Sequence, residues 1–311
     1  MIYILSCTDV KNGGGIYSFS LSEKEMKQTG YLPCDRPMYS VMNDNRICTL
    51  LRAPFEENSN SGYFFCDEKL ENSTSIISTK GVVACHLDVI KNDVYVVNYL
   101  SGNIVKNGDI IAKRQGKSIH PTRQSESHTH FVKQTHDGYL AVCDLGTDTL
   151  AFYDKVLILY SEEKVNPGYG IRHLAFSKDN KFIYSINELI PSVSVFSYDK
   201  GKAKLLSTFD IKTTNEKANG AGIRISKDGK FLYVSLREEN VICVFSVNGD
   251  KLELLQSVDC KGNSPRDFNI FDSFLVCTNE LSNSVTVFSI ENGLIKEFLY
   301  SYNLNSPLCV F

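Results

Sequence analysis

The stretch GYGIRHLAFSKDNKFIYSINELIPSVSVFSYD (168–199) decides the fold. IRHLAF (171–176) alternates apolar and polar residues, SKDNK (177–181) is a polar turn, FIYSIN (182–187) is a buried strand, and PSVSVFSYD (191–199) alternates again, with Val193, Val195 and Phe196 as its apolar set. Short period-two runs separated by turn residues predict three antiparallel strands. Arg172, His173, Asn187 and Glu188 stand at the strand ends. A strand pair needs none of them for stability, so they mark candidate chemistry.

The same unit recurs. GIRISKDGKFLYVSLREENVICVFSVNGD (222–250) and SPRDFNIFDSFLVCTNELSNSVTVFSIENG (264–293) repeat it downstream. HTHFVKQTHDGYLAVCDLGTDTLAFYD (128–154) and CHLDVIKNDVYVVNYLSGNIVKNGD (85–109) repeat it upstream, with looser copies at 47–68 and 2–23. Marking the residue after each second strand gives Cys7, Leu51, Asn98, Asp144, Asn187, Leu236 and Asn279, at intervals of 44, 47, 46, 43, 49 and 43 residues. A period of about 40–50 residues is that of propeller blades. SPLCVF (306–311) reads as a first strand and MIYILSCT (1–8) as a second strand, so one blade is shared by both ends. Such closure leaves no open sheet edge. The chain is expected to be all-β: a single domain over 1–311, a seven-bladed β-propeller.

Composition narrows the function. The net charge of −3 and a pI near 6.1 argue against a nucleic-acid surface. No apolar run reaches the roughly 18 residues a membrane helix needs, and the N-terminus lacks a basic leader and cleavage site, so no membrane partner is expected. The ten cysteines show no CxxC pair and sit mostly inside strands. They read as reduced structural thiols in a cytoplasmic protein, and no metal site is expected.

First strands line a propeller's channel, and the aligned units place Cys85-His86, Thr129-His130, Arg172-His173 and Arg266-Asp267 there. Loops after the second strands add Asn98, Asp144, Asn187-Glu188 and Arg237 at one end of the ring. Convergent charge in a concave site is a functional candidate. Strict alternation puts His128 and His130 on one face, and turns His173 away from Arg172, between blades. His120 and His136 read as exposed, and Asp137, Asp179 and Asp228 as turn residues.

These residues carry a resemblance. GYGIRHLAFSKDNKFIYSINEL, GIRISKDGKFLYVS, SPRDFNI and SHTHFVKQTHDGYLAVCDLGTD resemble the cytosolic lactonase family of seven-bladed propellers. That family holds propeller-type 6-phosphogluconolactonases and 3-carboxy-cis,cis-muconate lactonizing enzymes. The resemblance implies catalytic roles for His128 or His130, Arg172, Glu188 and Arg237. Arg266 joins them as a further candidate, and His86, Asn98, Asp144, Asn187 and Asp267 as substrate-binding candidates. Two departures stand out: Gly222 where many relatives carry Glu, and Leu236 where they often carry Asn before the Arg.

Lactone opening needs a base for water, donors for the oxyanion and an anchor for an anionic substituent. Glu188 or a SHTH histidine suits the first, Arg172 the second, and Arg237 and Arg266 the third, since a guanidinium fork matches phosphate. No GxSxG motif is present, so direct attack by water, without cofactor, is expected. The implied activity is a carboxylic-ester (lactone) hydrolase acting on an anionic lactone or phosphosugar in the pentose phosphate route. The alternatives are a carboxymuconate cycloisomerase using the same arginines for carboxylates, or a non-catalytic binding scaffold.

Overall fold

The computed structural model describes residues 1–55 and 60–311. Residues 56–59, inside the looser 47–68 copy, lie outside the described residues. Among the described residues, twenty-eight strands, numbered in chain order, form seven four-stranded antiparallel sheets. The founding unit folds as read: β16 is Ile171–Phe176, β17 Phe182–Asn187, β18 Ser192–Asp199, and a solvent-facing fourth strand, β19, covers Lys202–Asp210.

Closure is also as read. β28 (Pro307–Val310) pairs antiparallel with β1 (Ile2–Ser6), and Tyr3 exchanges backbone hydrogen bonds of 2.8 and 3.0 Å with Phe311. Register refines the repeat by one residue: Pro307 faces Ser6, as Pro37 faces Leu51 and Ala84 faces Asn98. Ser6, rather than Cys7, is thus the true equivalent.

Adjacent sheets bury apolar side chains against each other in seven clusters that run around the ring. With no Trp in the chain, Tyr63, Tyr184, Tyr233, Phe152, Phe196, Phe245 and Phe268 supply the bulk. Tyr184 and Tyr233 also donate their hydroxyls to Gly249 O and Gly293 O in the next blade, both at 2.7 Å. A tyrosine thus packs one interface and satisfies its polar end across it.

The innermost strands are β28, β4 (Pro37–Asn43), β8 (Ala84–Ile90), β12 (Thr129–Gln134), β16, β20 (Asn219–Ile225) and β24 (Pro265–Phe271). Each contacts the next around the channel. Every one carries a β-bulge where it pairs with its second strand. The extra residues are Leu308, Met38, Cys85, His130, Arg172, Ala221–Gly222 and Arg266. A bulge sets two residues against one partner and re-aims a side chain. This corrects the expectation for His173. It is not turned between blades, because the bulge at Arg172 breaks the alternation and brings both side chains into the channel wall.

Candidate active site

Glu188 follows β17 and is buried at the channel mouth. Its Oε2 lies 2.8 Å from Arg172 Nε and 3.2 Å from Arg237 Nη2, and its Oε1 accepts from Arg123 Nη2. His130 Nε2 stands 4.0 Å from Oε2. Burial alone would push the carboxyl up, but the cations Arg237, Arg172 and Arg123 outweigh it and hold Glu188 well below the ordinary range. Burial, with the adjacent Arg172 charge, keeps His130 well below the usual histidine value, so the imidazole is neutral at pH 7. Its Nδ1 is buried without a hydrogen-bond partner among the described residues. Burial brings Arg172 down to about 9, opposed by Glu188 and helped by Arg237 and Arg266. Its Nη1 donates to Ala221 O at 2.6 Å.

Arg266 completes the charged mouth, 3.5 Å from Glu280. Four guanidiniums thus face two carboxylates here. The thiol of Cys7, beside this rim, is pushed up to about 12 by burial, with Arg52 opposing and Glu280 adding to the rise. Beneath the cluster lies a cavity of about 20 Å³, room for about one water. It is lined by the bulge residues Met38, Cys85, His130, Arg172, Arg266 and Leu308, with Tyr39, His173 and Asp267.

The remaining sequence candidates divide. His128 sits behind the mouth, its ring stacked 4.4 Å from Tyr99 and its Nδ1 3.0 Å from Tyr99 O, so His130 is the SHTH residue that faces Glu188. His86 lies deeper in the wall, 4.1 Å from the Tyr39 ring and 5.1 Å from His173. Asp267 pairs with Arg224 at 2.8 Å, on the cavity's far side.

Asn98, Asp144 and Asn187 are not brought to the mouth. Asn98 bonds Thr79 and Asn103, and Asn187 bonds Ser192 and Ser194. Asp144 accepts from His128 N–H, the Ser127 hydroxyl and Arg114. This slot clamps blade turns, and the two blades with Leu51 and Leu236 fill it by packing instead. The Leu236 departure therefore leaves Arg237 within reach of Glu188. At Gly222, a Cβ would meet Phe268 ring carbons at 3.0 and 3.1 Å, so the ring occupies the space a side chain would need.

Sequence reasoning missed Arg123. It lies in the 114–128 connection, outside any strand, where period-two alignment has no purchase. A cation a few residues before SHTH was the available signal. Among the described residues, no three His, Cys, Asp or Glu side chains are grouped to hold a metal ion.

A propeller whose bulged inner strands converge arginines on a buried Glu matches the family described as "Lactonase, 7-bladed beta-propeller" over residues 1–311. The chain belongs to that family. An uncharacterised protein of Staphylococcus aureus strain N315 is 32% identical, over 94% of each chain. A Bacteroides uniformis structure provisionally named a 6-phosphogluconolactonase is 25% identical, with a TM-score of 0.86, over 100% of this chain and 98% of that one. The periplasmic gluconolactonase of Pseudomonas aeruginosa shares the fold, at 22% identity and a TM-score of 0.88, over 100% of this lactonase-family chain and 99% of its own.

Proposed function

We propose that this lactonase-family propeller hydrolyses an anionic sugar lactone, 6-phosphogluconolactone being the first candidate. The observation that carries the reading is a neutral, buried His130 beside Glu188, beneath more guanidiniums than carboxylates. In the proposed reaction, His130 accepts a proton from water as the water oxygen bonds to the lactone carbonyl carbon. Glu188 offsets the charge of the resulting imidazolium. Arg172 and Arg237 stabilise the oxyanion. As the carbonyl re-forms, the ring C–O bond breaks and the departing alkoxide takes the proton back from His130, leaving the open hydroxy acid. Arg266, at the mouth, suits the substrate's phosphate.

The ten free thiols fit a reducing compartment, which supports a cytoplasmic enzyme of the pentose phosphate route. The Pseudomonas aeruginosa protein of the same fold is periplasmic, so the fold alone does not assign a compartment. The test is turnover of freshly generated 6-phosphogluconolactone against its spontaneous opening. A rate well above background, lost in Arg172→Ala, supports the proposal. A rate at background overturns it and moves weight to a carboxymuconate-type acid.

A further inference from the structure

Three arginines hold Glu188, but they are not alike. Arg172 and Arg237 sit on or at the end of strands, with side chains only 4% and 13% exposed. Arg123 comes from a connection between blades, and its side chain is 44% exposed. Its neighbour Gln124 is fully buried: Nε2 donates to Leu145 O at 2.9 Å, and Oε1 accepts from His120 N–H at 3.1 Å. His120 Nδ1 in turn accepts from Arg123 N–H at 3.1 Å. The backbone is pinned while the side chain remains partly open to solvent. Its other partner is the Tyr99 hydroxyl, at 3.3 and 3.4 Å.

A carboxylate engaged by three guanidiniums is a weak partner for an imidazolium, because its charge is already spent. The arginine that can leave at least cost is the solvated one, since its released charge stays hydrated. Resting on the lactonase reading above, we infer that Arg123 is an anion-responsive latch: the substrate's phosphate draws Arg123 off Glu188 Oε1, which leaves the carboxylate one cation fewer and more charge to support His130, 4.0 Å from its Oε2. Arg123 then grips the phosphate as Tyr99 keeps its stem in place. Binding of the distal anion and readying of the base become one event. Arg123 is thus a positioning and specificity residue, selecting phosphorylated over plain lactones.

The test compares 6-phosphogluconolactone with gluconolactone in wild type, Arg123→Gln and Arg123→Lys. In Arg123→Gln, the preference in kcat/KM for the phosphorylated lactone should fall about 100-fold, in both kcat and KM, with partial recovery in Arg123→Lys. Inorganic phosphate added separately should raise wild-type kcat/KM on gluconolactone about tenfold above the phosphate-catalysed background, and not in Arg123→Gln. Equal losses on both lactones, or phosphate that only inhibits, would overturn the latch while leaving the hydrolase standing. If wild type opens neither lactone, the hydrolase reading falls, and calorimetry decides the latch alone. Tighter binding of 6-phosphogluconate than gluconate, lost in Arg123→Gln, keeps it; equal binding ends it.

Discussion

The channel has two walls built from one structural slot. Three consecutive blades fill the bulge position with Leu308, Met38 and Cys85; of the next four, three supply His130, Arg172 and Arg266, and one carries the small pair Ala221–Gly222. Same backbone, same register, opposite chemistry. The repeat therefore specifies where a side chain points, and only the individual residue specifies what it does. The apolar wall packs, and it lowers the dielectric facing the charged wall, which strengthens every charge–charge contact across the channel. Substitutions in the two walls should separate these duties.

The largest effect is expected at the charged wall. Glu188→Gln keeps the shape but removes the charge that supports His130, and kcat/KM should drop about 10³-fold. Steady-state kinetics with a native circular-dichroism spectrum check it. A loss below tenfold would make Glu188 a mere counter-ion for the arginines.

Next is pH. Burial holds His86, His130 and His173 well below the ordinary 6.5, so all three are neutral when folded and protonate on unfolding in mild acid. Their share of stability is full above 6.5 and is lost as pH falls below it, by about 4 kcal/mol for the three together between pH 7.5 and 5.5. Glu188 contributes nothing in that window, since its share is lost only below the ordinary 4.5. Urea midpoints at the two pH values measure the fall, which should shrink by about a third in His86→Phe.

At the apolar wall, Leu308→Ala should cost about 3 kcal/mol of stability and change kcat/KM less than tenfold. A larger kinetic loss would mean that this wall shapes the substrate site as well. The smallest effect is expected at Asp144→Asn, about 2 kcal/mol from weakening the Arg114 clamp, with turnover close to wild type. Denaturation and kinetics on that variant ask whether a buried carboxylate away from the mouth is purely architectural.

The blades were legible because strand alternation and turn chemistry repeat with a steady period, and β16, β17 and the closing pair fall where the residues placed them. The convergence of Arg172, Glu188 and Arg237 was legible for the same reason: strand ends come together at one end of a ring. The bulges were not. One inserted residue leaves no mark in composition, yet it reverses the face assigned to His173. The series Asn98, Asp144 and Asn187 was found correctly as a repeat but mistaken for chemistry, because a polar residue at a strand end serves a turn as readily as a ligand. Arg123 escaped because its position depends on Gln124 anchoring a strandless connection.

The closing pair also orders events in time. β28 follows every other described strand in chain order, and it brings Leu308 to the channel and Phe311 to Tyr3. Until that pair forms, β1 keeps a bare inner edge and the ring is unsealed. The last pairing joins the most distant parts of the chain, the slowest kind of contact to form. A chain cut short before Pro307 would therefore keep nearly all its hydrogen bonds and yet leave the cavity open on the Leu308 side.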